Sequence, residues 1–198
     1  MKIIMAVILL VLIPSALLAA SPIDSVKVNV DEVLQILQDP ALKGEEHKTA
    51  AKARIWAVVD RVFDFSALSQ RTLGRNWNAI SAEEKETFIR YYRLFLGQIY
   101  LDRVMEFTGE KVEYVKEVML SAENSEVQTK LISNTQEIEV DYRLLRFQDD
   151  WKVYDVVIEG VSMVQNYRSQ FNQILARQSM KELLDILIEK VDKKQQNR

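Results

Sequence analysis

Apolar residues along the chain follow three successive rhythms. From Ile23 to Val104 they recur every three or four positions, from Lys111 to Ile158 they alternate, and beyond Gly160 the longer spacing returns. The first spacing gathers side chains on one face of a helix, and alternation gathers them on one face of a strand. The pattern predicts a helix over Ile23–Gln38, with Val26, Val30, Val33, Leu34 and Leu37 on one side and Pro40 and Gly44 beyond its end. A second helix over Glu45–Phe63 presents Ala50, Ala53, Ile55, Val58, Val59 and Val62, and a third runs from Phe65 to Leu73 and stops at Gly74. Ser81 and Glu84 form an S-x-x-E capping pattern at the head of a long helix carrying Phe88, Tyr91, Tyr92, Phe95, Leu96, Ile99, Tyr100 and Val104.

The alternating region divides into four strands. Lys111–Leu120 sets Val112, Tyr114, Val118 and Leu120 on one side, and Glu126–Ser133 does the same with Val127, Thr129 and Leu131. Glu137–Phe147 opposes Ile138, Val140, Tyr142 and Leu144 to Glu137, Glu139, Asp141 and Arg143. Trp151–Ile158 opposes Val153, Asp155 and Val157 to Lys152, Tyr154, Val156 and Ile158. Short polar connectors imply hairpins and an antiparallel meander. Gly160 then breaks the alternation, and Val161, Val164, Tyr167, Phe171 and Leu175 define a helix face. A last helix opens at Ser179, with Glu182 three residues on, and buries Leu183, Leu184, Leu187, Ile188 and Val191; Lys193–Arg198 is expected to fray. Helices, then strands, then helices is the order of an α+β domain, here an antiparallel sheet of about four strands with helices before and after it.

Composition narrows the function classes. Of 198 residues, 48% are hydrophobic and 28% charged, which suits one domain with a core of its own. Met1–Ala20, with Lys2, an apolar run over Ile3–Leu12 and Ala19-Ala20, reads as a cleaved secretory leader, leaving 21–198 as a single domain. The net charge of −3 and the scattered basic residues give no track for nucleic acid. The absence of cysteine removes disulfides, thiol catalysis and cysteine metal sites.

Catalytic inventories are equally thin. The single histidine, His47, has no second histidine at metal-binding spacing, so no metal site is expected. Any serine triad would have to recruit that same histidine. Five scattered glycines build no phosphate-cradling loop, and no cofactor is expected. Asp149-Asp150 reads as a solvated turn. Asp155 shares a strand face with valines, so it requires a partner, and Arg168 on the following helix is the expected one. A polar lock between helix and sheet is the favoured reading, and a catalytic carboxylate is the alternative. What remains is apolar surface. Helices closing imperfectly over a twisted sheet would leave a pocket for acyl chains, although a filled core uses the same residue types.

Two stretches carry a family resemblance. LGRNW at Leu73–Trp77 and VYDVVIEGVSMVQNYRSQF within Trp151–Leu175 closely resemble the MlaC, or toluene-tolerance, family. The resemblance implies a cone-like fold related to nuclear transport factors, with an apolar pocket that holds phospholipid acyl chains and leaves the headgroup exposed. It implies a non-enzymatic periplasmic carrier that maintains outer-membrane lipid asymmetry. Its partners would be an outer-membrane lipoprotein–porin complex and an inner-membrane ABC transporter with an MCE-domain subunit. Carriage of another, hopanoid-like lipid, an enzyme on the same scaffold and a protein-binding accessory are the competing readings. The residues matching the family motifs are Leu73, Gly74, Arg75, Trp77, Tyr154, Asp155, Gly160, Ser162, Tyr167, Arg168 and Phe171, of which Gly74, Arg75, Trp77, Tyr154, Asp155, Gly160 and Arg168 are expected to be architectural. The pocket candidates are Tyr92, Phe95, Leu96, Ile99, Tyr100 and Val104 on the long helix, and Val112, Val118, Leu120, Leu131, Val140, Tyr142, Leu144, Val153 and Val157 on the strands. Val161, Val164 and Phe171 complete the set after Gly160.

Overall fold

The computed structural model describes residues 20–106 and 109–196. The leader expected over Met1–Ala20 lies outside these residues except for Ala20, whose carbonyl accepts the Trp151 indole N–H at 3.1 Å. Helix α1 spans Pro22–Gln38. It opens with a Ser21 cap on the Asp24 N–H and a proline at its first position, where no amide hydrogen is needed. Helix α2, Lys48–Val62, is preceded by a 3₁₀ turn over Glu45–His47. Its buried face is Ala51, Ile55 and Val58, and Ala50 and Ala53 lie exposed, which turns the expected face slightly. Helix α3, Phe65–Leu73, ends at Gly74, which leads a 3₁₀ segment through Ala79. Helix α4, Ala82–Met105, begins with both halves of the Ser81–Glu84 capping box in place.

Five strands follow in one antiparallel sheet, ordered as in the sequence: β1 Lys111–Met119, β2 Asn124–Ile132, β3 Glu137–Phe147, β4 Asp150–Ile158 and β5 Val161–Ser162. Two registers shift. In β1 the pairing passes from Tyr114 to Lys116 and leaves Val115 unpaired; in β4 it passes from Val153 to Asp155 and leaves Tyr154 unpaired. Each extra residue reverses the side on which later residues point. Val118 therefore pairs with Glu126, away from the Val127 and Thr129 face, and Asp155 and Val157 pair with Arg143 and Asp141. The expected grouping of Val153, Asp155 and Val157 on one face is thus corrected.

The direct passage from fourth strand to helix is also corrected. Glu159 and Gly160 both have positive φ, 49° and 76°, which is the backbone of a tight hairpin turn. Val161 consequently belongs to β5, and helix α5, Met163–Leu175, starts two residues later. Helix α6, Met180–Gln196, continues through residues expected to fray, because Lys194 Nζ donates to the Gln98 carbonyl and meets Asp102 at 3.1 Å.

The core lies between the sheet and the helices. Phe88 and Tyr92 of α4 meet Tyr167 and Phe171 of α5 edge-on, with ring centroids 5.4–5.7 Å apart. Such pairs contribute about 0.5–1.5 kcal/mol each beyond simple burial. Val127, Leu144 and Val153 complete the cluster from the sheet, and Leu183 and Leu187 from α6. Helix α2 meets α4 through a different device. Gly97 lies against the Trp56 ring so closely that a Cβ there would stand 1.9 Å from it. Arg93 stacks over the same ring at 4.5 Å while holding Asp60 through two hydrogen bonds of 2.6 and 2.5 Å, and Lys52 reaches Asp102 at 2.6 Å.

Candidate functional site

The apolar candidates divide by depth on the helix-facing side of the sheet. Tyr92, Leu96, Leu144, Val153, Val157, Val164 and Phe171 are buried, although Val157 sits on the strand face shared with Asp141. Phe95, Ile99, Tyr100, Val140 and Tyr142 are half-buried and packed on the main cluster, and Val112 and Leu131 are half-buried opposite one another on β1 and β2. Val118 is half-buried on the reversed face. Three candidates are surface groups instead: Val104 is 37% exposed, Leu120 52% and Val161 61%. Leu120 lies past the end of β1, and the turn at Glu159–Gly160 carries Val161 outward.

Spacing alone did not single out α1 as a wall of this region. Val30, Val33, Leu34 and Leu37 remain half-buried along it, and Tyr114 of β1 donates to Asp31 of α1 at 2.9 Å. The Ile23 N–H, at the start of α1, donates to Glu117 at 2.9 Å. An apolar helix stripe whose residues keep partial exposure against a sheet is the signal that marks it.

Two solvent-facing grooves border the domain. One of about 400 Å³ is lined by Gln170, Gln173, Ile174, Arg177 and Gln178; the other, of about 230 Å³, by Gly109, Glu110, Lys111, Ile132, Ser133 and Asn134. Neither contains a pocket candidate, and both linings are largely polar.

Four of the residues expected to be architectural, Gly74, Tyr154, Asp155 and Arg168, take part in two polar locks. In the first, Arg168 of α5 donates from Nε to the Arg71 carbonyl at 2.8 Å, and again from Nη2. That carbonyl belongs to the last turn of α3, where helix carbonyls lack intrahelical partners and a cation is favoured. Gly74 runs with φ of 56° beside Arg168, its absent Cβ position 3.7 Å from Nε. The Arg71 guanidinium stacks 4.0 Å over the Tyr154 ring. Trp77 is half-buried under Lys85, and Arg75 is exposed.

The second lock centres on Asp155, which does not meet Arg168. Its carboxylate accepts from the Ser162 hydroxyl at 2.6 Å, the Val164 N–H at 2.9 Å and Arg143 Nη1 at 3.4 Å. Arg143 donates in turn to Glu126 at 3.0 Å. The arrangement caps α5 from the neighbouring strand, and every donor facing Asp155 has a structural task. Glu126 is held below its ordinary range: burial opposes the charge, but hydrogen bonds from Gln128 and Arg143 outweigh it.

His47 is exposed, and no cluster of three metal-ligating side chains occurs among the described residues. No described helix is long and apolar enough to cross a membrane. Curated proteins give no match. Among solved structures, a phospholipid-binding protein from Ralstonia solanacearum, determined in complex with a phospholipid, superimposes with a TM-score of 0.76 at 24% identity, covering 88% of this chain and 99% of that one. The family model described as MlaC protein matches residues 27–189, taking in both motif stretches and all six helices at least in part. The chain belongs to the MlaC family.

Proposed function

We propose that residues 21–198 form one domain that carries a phospholipid by its acyl chains. The observation that carries this reading is the fold shared along nearly the whole chain with a protein solved around a phospholipid. It is supported by half-buried apolar groups on α1, α4 and the facing strands. Each methylene withdrawn from water contributes about 0.8 kcal/mol, so two acyl chains outweigh the cost of ordering the complex. The charged headgroup stays at the mouth, because burying it without partners is unfavourable. Loading parts the helices from the sheet, and the Asp155 and Arg168 locks keep α5 seated while it does so.

On this reading Met1–Ala20 is a leader that directs the chain to the periplasm and is then removed. The carrier passes lipid between an outer-membrane lipoprotein–porin complex and an inner-membrane transporter with an MCE-domain subunit, and so maintains lipid asymmetry. The Asp155 network favours this over an enzyme on the same scaffold, because the carboxylate is already engaged by three donors. Solvent extraction of gently purified protein, followed by mass spectrometry, should return phospholipid in near-stoichiometric amount. Protein that emerges empty and then fails to take phospholipid from vesicles would refute the proposal.

A further inference from the structure

We infer that the Tyr142 hydroxyl reads an acyl ester inside the site, donating a hydrogen bond to the ester carbonyl of a bound glycerolipid. The inference rests on the carrier reading and adds a residue that discriminates between lipids. Tyr142 stands in the middle of β3, on the helix-facing side, paired with Val127 of β2 and Val156 of β4. Both neighbours are buried, and the ring itself packs on the main cluster. Its hydroxyl nonetheless makes no hydrogen bond to any described residue, unlike Tyr114 nearby, whose hydroxyl is committed to Asp31. Nor is the oxygen sealed in: the only fully buried side-chain polar atom without a partner among the described residues is Ser69 Oγ. Tyr142 Oη is thus neither paired by the protein nor fully sealed off. Burial pushes the hydroxyl up to about 12, as expected of a phenol set among apolar side chains. A donor kept there without a protein acceptor is matched by an acceptor that arrives with the ligand.

The chemistry of the surroundings selects the acceptor. Val140 and Leu144 flank Tyr142 along the strand face, and Val127 and Val156 flank it across the sheet. None of them can pair with a phosphate, whose charge would be costly at this depth. An ester carbonyl is neutral, lies between headgroup and acyl chains, and accepts one hydrogen bond from a phenol. An ether-linked lipid with the same headgroup and chains lacks that carbonyl.

The test measures binding of ester-linked phosphatidylethanolamine and its ether-linked counterpart, of equal chain length, to delipidated full domain. The wild type should prefer the ester lipid by about three- to tenfold, the range of one net hydrogen bond. Tyr142→Phe should bind both lipids equally, at the level of the wild type with the ether lipid. Its melting temperature should be unchanged, since no protein hydrogen bond is lost. A wild type without preference, or a preference that survives in Tyr142→Phe, overturns the inference and leaves the carrier reading standing. A variant weakened equally toward both lipids assigns Tyr142 to packing or to the phosphate and overturns it as well. Failure of the wild type to bind either lipid overturns both.

Discussion

The Asp155 carboxylate receives the Ser162 hydroxyl at 2.6 Å, and Ser162 in turn accepts the Gln165 N–H at 3.1 Å to cap α5. Strand β4 and the helix that follows it are joined by a relay of two hydrogen bonds, one spanning seven residues and the next three. Asp155→Ala should therefore cost about 3 kcal/mol, because it leaves the buried Val164 N–H and Ser162 hydroxyl short of an acceptor and takes from Arg143 one of its two carboxylate partners. Chemical denaturation would measure the loss. Unchanged stability together with lost lipid binding would return Asp155 to the functional residues.

Gly97 and Trp56 give a prediction in which two magnitudes compete. Alanine in a helix interior is worth about 1 kcal/mol over glycine. Here the added methyl would stand 1.9 Å from the ring and must expel it, which also removes the Arg93 stack. Overpacking of this kind costs about 1–3 kcal/mol. Gly97→Ala is expected to lower the melting temperature and shift Trp56 emission to longer wavelength. A more stable variant with unaltered emission would contradict the packing described.

Ser69 offers the opposite sign. Its hydroxyl is buried on α3 without a partner. Ser69→Ala removes that unmet polar group and raises helix propensity, so stability should rise by about 1 kcal/mol. A loss on calorimetry would show that the hydroxyl has a partner, such as an ordered water.

Acid should loosen the outer face of the sheet. Glu126 is held below its ordinary value of 4.5, so its contribution is complete above that value and is lost as pH falls through the lower folded value. Asp141 on the adjoining strand is pushed up, by burial first and then by Glu126 and Glu139. Its charge therefore works against the fold at neutral pH, and its protonation relieves that strain as pH falls. Melting temperatures measured from pH 7 down to 3 should fall less steeply for Glu126→Gln than for the wild type, whereas Asp141→Asn should be the more stable protein at pH 7. Parallel curves for wild type and Glu126→Gln would remove Glu126 from the account.

Periodicity and caps were enough to place most of the elements. The Ser81–Glu84 box, the run of helical spacing through α4 and the alternation in β2 and β3 all appear as read. The reversals come from single unpaired residues. A strand is read by counting in twos, and Val115 and Tyr154 are both ordinary strand formers, so residue type alone does not mark where the count slips. Val161 escapes the helix for a related reason: Glu159-Gly160 can start a helix or turn a hairpin, and only the available edge of β4 selects the hairpin. The partner of Asp155 depended on the same slip, since the reversal that sets Asp155 beside Arg143 is invisible before the strands pair. The half-buried stripe of α1 was visible as an amphipathic pattern, but its place beside the candidate site required the sheet's position.

Gly97 is the only residue of α4 without a side chain, and the Trp56 ring occupies the notch it leaves. Displacement of α2 along α4 by even one residue would lift the indole out of that recess and onto a neighbouring Cβ. The notch acts as a detent: with the indole seated in it, any lengthwise slip of α2 along α4 meets the side chains on either side.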